Sequence, residues 1–198
     1  ISSRVFHATF LSTMSNMYEL RTVVERHTNE AVKIYPNIKT VRSTAELFND
    51  PEIDLVIITT SNDLHYSLSK EALEKGYKLV VVVSAMGRKG EPYATDTLLN
   101  LVGAKKSKVT QRELDLLMSC GETISSIVFS NLLNENGIHA MAMTGASAGF
   151  RTNDEFGNAK ILDMKCGRLV KELENFDVVV VAGFQGSTTN GDITTLGR

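Results

Sequence analysis

The chain alternates between short apolar runs and longer stretches in which apolar residues recur every three or four positions. Five runs rich in Val, Ile or other apolar residues have the length of buried strands. They are YELRTVVE (18–25), DLVIITT (54–60), KLVVVVSA (78–85), HAMAMTG (139–145) and DVVVVAGF (177–184). Each run predicts a parallel β-strand.

Three stretches between these runs have the spacing of amphipathic helices. STAELFND (43–50) begins with a Ser cap and has Glu46 at the capping-box position. NDLHYSLSKEALEKG (62–76) begins with an Asn cap and ends at a Gly. TQRELDLLMSCGETISSIVFSNLLNENG (110–137) predicts a helix that crosses the whole fold, with Gly121 as a break or a point of close packing.

This order of strands and helices predicts an α/β fold with a mainly parallel sheet and helices on both faces. The sequence contains no internal repeat and no low-complexity segment. The segment VGAKKSKVTQ (102–111) is the best candidate for an exposed connection.

Composition and charge indicate a globular protein and exclude two classes of partner. Apolar residues make up 42% of the chain and charged residues 22%, with a net charge of -2. Because the two signs are interspersed, there is no basic face for a phosphate backbone, and nucleic acid is not an expected partner. The longest apolar run, LVVVVSAM, has the length of a strand, so no membrane partner is expected.

The cysteines and the first residue bear on the setting of the protein. Cys120 and Cys166 have neither CxxC spacing nor a His cluster, which predicts two reduced thiols, no metal site and a cytoplasmic location. The chain opens on Ile1 without a charged-then-apolar leader, so we expect a piece of a longer protein.

Polar segments rich in Ser, Thr or Gly follow several of the predicted strands. In a parallel sheet the carboxyl ends of the strands gather the binding groups. Backbone amides and hydroxyls in such loops suit a small anionic ligand, although each loop could equally be a tight turn. The segments are SAMGRKGEPYATDT after the third strand, TGASAGFRTND after the fourth and GFQGSTTNGDITTLGR after the fifth.

Residues 1–77 contain SRVFHATFL, VVERH and STAELFNDPEIDLVIITTSNDLHYSLSKEALEKGY. In these segments the chain resembles the nucleotide-binding domain of the Gfo/Idh/MocA family of NAD(P)-dependent oxidoreductases. It implies a Rossmann-like half with the remains of an NAD(P) site: Glu25 or Arg26 at the adenosine ribose, and Thr59, Asn62 and His65 along the nicotinamide half. The alternatives are an ordinary exposed pair at 25–26, a helix cap at Asn62 and a surface side chain at His65.

The same resemblance implies that the oxidoreductase chemistry is lost. In the family, the strand after this region ends in Glu-Lys-Pro, and its Lys is catalytic. Here that strand ends in Ser84-Ala85-Met86. Only a tail of the phosphate-binding glycine turn, ISSR, remains at the start of the chain. We therefore expect no hydride transfer and no firmly bound NAD(P).

Residues 77–198 contain KLVVVVSAMGRKGEPYATDTLL, RELDLLMSCGETISS, TGASAGF, NAKI and VVVAGFQGSTTNGDITTLGR. In these segments the chain resembles aspartate kinase of the amino-acid kinase family. It implies part of a pocket for aspartate. Ser84, Ala85 and Thr95 would line it, Phe184 would form a wall, Glu122 would pair with the substrate ammonium group, and Arg198 would hold a carboxylate. Glu122 could instead be a helix-surface carboxylate, and Arg198 a frayed terminal residue.

The kinase resemblance also implies missing parts. The family's strand with Lys-Phe-Gly-Gly-Thr-Ser, which grips the phosphates of ATP-Mg, is replaced here by DLVIITTSND. Phosphoryl transfer depends on such positioning groups, so we expect no catalytic residue set to be intact and no kinase turnover.

Together the two resemblances predict an engineered or recombined chimera with its crossover in residues 70–80. We expect truncated segments 1–77 and 78–198 to share one continuous sheet, and the chimera to be inactive while retaining part of an aspartate pocket. The alternatives are a fragment of an aspartate kinase and a fragment of an NAD(P)-dependent oxidoreductase. Aspartate or another small anion is the expected partner, and an exposed sheet edge makes a homo-oligomer possible.

Overall fold

The computed structural model describes residues 19–58, 62–103 and 108–197. The chain divides into two compact units, the first ending at Tyr77 and the second beginning at Lys78. The units are described separately below.

The first unit contains a small parallel sheet and three helices among its described residues. In chain order its elements are β1 (Thr22–Val24), α1 (Glu30–Ile34), β2 (Lys39–Val41), α2 (Thr44–Phe48) and α3 (Asn62–Glu74). β1 and β2 pair in parallel, with Thr22 opposite Lys39. The rings of Phe48 and Tyr77 lie 5.6 Å apart, so the end of α2 packs against the segment that follows α3.

The ends of α2 and α3 follow the capping signals in the sequence. The capping box at the start of α2 is confirmed: the hydroxyl of Ser43 accepts from the Glu46 amide at 3.3 Å, and the Glu46 carboxylate accepts from the Ser43 amide at 3.0 Å. Beyond α3, Gly76 has a φ of 85°, and the amide of Tyr77 donates to the carbonyl of Ala72 at 3.0 Å. This is the glycine-terminated helix end that the sequence predicts.

The strand predicted at 54–60 is wrong over residues 54–58, which are irregular. No hydrogen-bonded strand pair among the described residues includes them. Leu55 and Ile57 are 56% and 42% exposed, so the apolar run is not buried on both faces. Apolar composition alone does not make a strand without a neighbour to complete the hydrogen-bond ladder. Residues 59 and 60 lie outside the described residues.

The second unit contains two sheets with a long helix packed against both. In chain order its elements are β3 (Leu79–Val83), α4 (Thr95–Asn100), α5 (Gln111–Glu135), β4 (Ala140–Met143), α6 (Gly145–Ala148), β5 (Phe150–Thr152), β6 (Ile161–Met164), α7 (Gly167–Glu172), β7 (Val178–Ala182), β8 (Gln185–Ser187) and β9 (Ile193–Thr195).

The core sheet of the second unit is parallel and has the order β3-β7-β4. All five residues of β7, VVVVA, are buried, as expected of a central strand covered on both faces. α5 packs against β3, β4 and β7. One cluster of buried apolar side chains in this unit consists of Met143, Ala148, Leu169, Val179 and Val181.

The other sheet is mixed, and three of its four strands, β5, β8 and β9, arise from segments that the sequence analysis interpreted as loops. Its order is β6-β5-β8-β9, with β5 parallel to β8 and the other pairs antiparallel. The long helix is confirmed and runs through Gly121 without a break. Its Thr110 cap and Glu113 form a second capping box. Residues 104–107 of the predicted connection lie outside the described residues.

The fold class is α/β with mainly parallel pairing, as predicted. The described strands form three separate sheets. The single sheet across both halves stays a prediction. It depended on a strand at residues 54–60 that would join the two halves. Those residues are irregular where they are described.

Candidate functional site

Three of the residues predicted to bind aspartate, Ser84, Ala85 and Phe184, lie at one edge of the β3-β7-β4 sheet. Ser84 and Ala85 directly follow β3, and Gly183 and Phe184 directly follow β7. β3 and β7 are parallel neighbours, so their carboxyl ends lie together. The amide of Gly183 donates to the carbonyl of Val83 at 2.9 Å, which joins the two strand ends beyond the regular ladder.

Glu122 reaches this edge from the middle of α5. Its side chain is only 5% exposed, and its Oε1 accepts from the backbone amide of Ala85 at 3.3 Å. Its Oε2 is also buried and has no hydrogen-bond partner among the described residues. Burial raises the pKa of the Glu122 carboxyl, an effect that the Ala85 amide opposes. Glu122 is therefore an interior carboxylate with one oxygen still able to accept.

Gly121 explains how the helix comes so close to the strand end. A Cβ at position 121 would lie 2.8 Å from the Cβ of Ala85, closer than side chains approach in folded proteins. It would also lie 3.6 Å from Leu98 and 3.7 Å from the carbonyl of Tyr93. Close packing is thus the role of Gly121, and it places the neighbouring Glu122 beside the Ala85 amide.

Thr95 begins α4, the helix that packs against α5. Its side chain is half-buried, whereas Ser84 is exposed. Leu98 and the carbonyl of Tyr93, which flank Thr95 in the chain, both approach the Gly121 position. The structure therefore brings β3, α4 and α5 together around the Ala85–Glu122 contact.

Phe184 lies between β7 and β8 in an unusual conformation. Its φ is 60°, the single positive value among the described residues other than glycine. Such a conformation costs roughly 1–3 kcal/mol and persists where flanking contacts fix it. Those contacts are present: the carbonyl of Phe184 accepts from the Leu196 amide at 3.0 Å, and the buried Gln185 side chain donates to the Ser119 carbonyl at 3.0 Å.

Several predicted site residues receive no structural account. Arg198 and Thr59 lie outside the described residues. Asn62 and His65 lie within α3, and of their side chains nothing is described. Their proposed roles stay predictions.

In the first unit, Glu25 has a partner of its own. Both carboxylate oxygens lie 3.2 Å from the amide of Ala31, in the first turn of α1. Arg26 is exposed. The loop after β1 is also held by Arg42, which the sequence analysis missed. Its guanidinium donates to the carbonyls of Glu25 and Thr28 at 2.7 and 2.5 Å and to Asn29 Oδ1 at 2.7 Å.

Asp115 is a second residue that the sequence analysis missed. It is fully buried in α5, and its carboxylate accepts from the amide of Gly157 at 2.9 Å and from the amide and hydroxyl of Thr195 at 2.8 and 3.0 Å. The side chain of Gln111 donates to it at 3.2 Å. Its distance of seven residues from Glu122, which places both on one helix face, is the signal that could have revealed it.

α5 is long and apolar enough to meet the length and composition test for a membrane span. Its packing against three core strands and its two buried carboxylates identify it as a core helix of this unit. Among residues 19–58, 62–103 and 108–197, no group of three His, Cys, Asp or Glu side chains could hold a metal ion.

Comparison with known families finds two matches on this chain. The model of the oxidoreductase family with the NAD-binding Rossmann fold, Gfo/Idh/MocA, matches residues 3–83. The model of the amino acid kinase family matches residues 58–198. Both resemblances inferred from the sequence are therefore confirmed. The two matches share residues 58–83, which include the predicted crossover.

Individual relatives are aspartokinases. Aspartokinase 1 of Bacillus subtilis is 63% identical over 129 residues, 65% of this chain and 32% of the relative. The aspartokinase of Geobacillus stearothermophilus is 42% identical over 65% of this chain and 30% of its own length. A crystal structure of aspartate kinase from Synechocystis is 38% identical, with a TM-score of 0.49, covering 65% of this chain and 20% of that one.

The matches cover most of this chain but only part of its relatives. The chain spans about a third of the length of the curated relatives it matches. The amino acid kinase match includes the whole of the second unit, from β3 to β9, together with the end of the first. The chain belongs to the amino acid kinase family.

Proposed function

We propose that the second unit binds aspartate at the carboxyl ends of β3 and β7. The observation that carries this proposal is Glu122, a buried carboxylate whose Oε2 has no partner among the described residues. A buried acceptor without a partner is unfavourable unless a ligand completes it. The ammonium group of an amino acid would supply both the missing donor and the compensating charge.

The chemistry of the pocket follows from this pairing. Glu122 must be ionised to attract the ammonium group, and burial raises its pKa in the free protein. A bound cation favours the ionised form and opposes that shift. Affinity should therefore fall as the pH drops through the pKa of Glu122. Thr95 and Ser84 would offer hydroxyls, Phe184 a wall, and Arg198 a guanidinium for a carboxylate of the ligand.

The kinase reaction itself is a further part of the proposal. Transfer of a phosphoryl group from ATP-Mg to the aspartate side-chain carboxylate is the activity that the aspartokinase resemblance favours. In this chain DLVIITTSND stands where the family has its phosphate-gripping Lys-Phe-Gly-Gly-Thr-Ser segment. We therefore propose that residues 1–198, an engineered or recombined chimera, bind aspartate without phosphorylating it. Acyl phosphate trapped as a hydroxamate would contradict this.

Isothermal titration calorimetry with L-aspartate tests the binding proposal. Glu122→Gln should raise Kd at least about 100-fold, because charge-assisted pairing to the ammonium is lost. Glu174→Gln is the matched control, since it makes the same change at an exposed position of the same unit. Succinate, which lacks the ammonium group, should bind the protein no more tightly than it binds Glu122→Gln. Equal aspartate affinity in the protein and Glu122→Gln would contradict the proposal.

NAD(P) binding by the first unit is a second candidate, favoured by the family match over residues 3–83. The described residues offer the cofactor few groups. The carboxylate of Glu25 accepts from the amide of Ala31, and the guanidinium of Arg42 is bound to loop carbonyls. Arg26 is exposed and would be the group that meets a ribose phosphate. A fluorescence titration with NADPH tests this candidate, and saturable binding would revive it.

The remaining expectations belong to the same proposal. Aspartate or a related small anion is the proposed partner, the cytoplasm the proposed location, and a homo-oligomer the proposed assembly. Light scattering after gel filtration tests the assembly.

A further inference from the structure

The buried face of α5 contacts three segments that bear or adjoin the proposed pocket. Each contact is a hydrogen bond from or to a different residue of the helix. The pairs are Asp115 with Thr195 of β9, Ser119 with Gln185 of β8, and Glu122 with Ala85 after β3. One rigid element therefore fixes the relative positions of all three segments.

The spacing of these residues makes the arrangement a consequence of helix geometry. Positions 115, 119 and 122 are four and three residues apart, so they lie on one face. At 1.5 Å per residue, Asp115 and Glu122 lie about 10 Å apart along the axis. α5 is uninterrupted between them. The three contacts are therefore spaced along one continuous helix face.

Asp115 makes the strongest of the three contacts. Its carboxylate is fully buried and accepts four hydrogen bonds, of which two come from Thr195 and one from the Gly157 amide. Every donor is fixed by the backbone or by a short side chain, except that of Gln111. β9 is therefore held against α5 by the two oxygens of Asp115, and an Asn at this position would turn one of them into a donor, so the contacts with the Thr195 hydroxyl and the Gln111 side chain would have to rearrange.

The segment that Asp115 holds lies next to Phe184. Thr195 is the last residue of β9, and the following residue, Leu196, donates its amide to the Phe184 carbonyl at 3.0 Å. Phe184 has a φ of 60°, which flanking contacts must maintain. β9 also pairs with β8, so loss of the Asp115 contacts would loosen the end of β9 at Thr195 without releasing the strand, and would weaken the support of the adjoining hydrogen bond from Leu196 to Phe184.

We propose that Asp115 is a positioning residue of the aspartate pocket, acting through β9 on the wall formed by Phe184. The proposal rests on the proposed function insofar as it concerns aspartate. Asp115 does not touch the ligand. It sets the geometry of a residue that does.

A tryptophan reporter separates positioning from stability. The chain contains no Trp, so Phe184→Trp gives a single probe at the pocket wall. In this background Asp115→Asn should shift the emission to longer wavelength and increase quenching by acrylamide. In the chain without the reporter it should raise the Kd for aspartate at least about tenfold. The tryptophan emission and the Kd are both measured at a low temperature at which circular dichroism first establishes that the variant is folded.

Asn134→Ala is the matched control. Asn134 lies on the same helix, and its side chain bonds the amide and carbonyl of Ala140 at 3.0 and 2.8 Å. Ala140 begins β4, so this contact lies at the opposite, amino end of that strand. Asn134→Ala should lower the unfolding temperature while leaving the emission and Kd unchanged. If Asp115→Asn behaves like this control, the proposal is wrong.

Two further outcomes are decisive. If Asp115→Asn does not fold, Thr195→Val replaces it, since it removes one hydroxyl donor to Asp115 and keeps the amide. It should raise Kd about threefold and shift the reporter slightly, and no change in either would overturn the proposal. If the unmodified chain binds no aspartate, the proposed function fails. The reporter shift alone then decides whether Asp115 positions Phe184.

Discussion

Glu25 and Glu122 are two carboxylates with the same predicted purpose and opposite surroundings. Glu25 follows β1 in the first unit, and both its oxygens lie within 3.2 Å of the Ala31 amide. Glu122 lies on α5 in the second unit and keeps one buried oxygen without a partner among the described residues. A carboxylate held at the start of a helix supports the fold, whereas a buried carboxylate with one oxygen unpaired can bind a ligand.

The largest expected effect comes from removing the space beside Glu122. Gly121→Val should destabilise the chain by roughly 3 kcal/mol, because its Cβ would overlap Ala85 and its branches would meet Leu98. Chemical denaturation measures the loss. Gly137→Val, at a position where a Cβ meets no atom within 4 Å, controls for replacing a glycine, although its φ of 79° adds some backbone strain. A loss at position 121 no greater than at 137 would refute the close-packing role.

The next effect is the pH dependence that Glu122 contributes. Its pKa is raised in the folded chain by burial, so its contribution to stability is full below the ordinary glutamate pKa and is lost as the pH rises through the folded value. The free energy of unfolding of Glu122→Gln should therefore exceed that of the parent by on the order of 1 kcal/mol at pH 7 and by little at pH 4. Denaturation curves at both pH values measure this difference. A parent more stable than the variant at pH 7 would contradict the assignment.

The same substitution at Glu25 should have the opposite sign. Glu25→Gln weakens the hydrogen bond to the Ala31 amide and removes a negative charge near the first turn of α1. We expect a loss of about 0.5–1 kcal/mol. The hydrogen exchange rate of the Ala31 amide measures this loss at the helix start and should increase. Glu19→Gln makes the same change elsewhere in the unit, and equal protection of Ala31 in both variants would show that Glu25 does not cap the helix.

The smallest effect belongs to a carboxylate of a third kind. Asp177 pairs with Lys78 at 2.7 Å, and both side chains are nearly half exposed. The lysine holds the pKa of Asp177 below its ordinary value, so this contribution is present above that value and is lost as the pH falls. Lys78→Met should cost less than about 1 kcal/mol at pH 7 and less in high salt. A loss that is unchanged by salt would contradict an ion pair.

Many of the helices and strands in both units could be predicted because their signals are local. The buried run at β7, the length of α5 and the capping box at Ser43 each follow from residues adjacent in the chain. Glu122 was found through a resemblance and not through its burial. The contact of Gly121 with Ala85 depends on two segments far apart in the chain, so the sequence suggested close packing without identifying the neighbour.

The features that were missed depend on distant partners. β5, β8 and β9 are three residues long, and β8 and β9 are rich in Gly, Ser and Thr, so their composition indicates loops. Asp115 was missed because acidic residues in helices are usually exposed. Its burial depends on donors from Thr195 and Gly157, which the sequence does not place beside it. Conversely, 54–58 has the composition of a strand and lacks a paired neighbour.

The order of strands in the core sheet has a consequence for synthesis on the ribosome. β7 lies between β3 and β4 but is made last, and β3 and β7 are joined by about a hundred residues of chain. Among the described strands, β3 and β4 pair with β7 alone. Both must wait, unpaired, until residue 182 has left the exit tunnel. We expect this sheet to form late and slowly, and the nascent chain to need protection from aggregation until then.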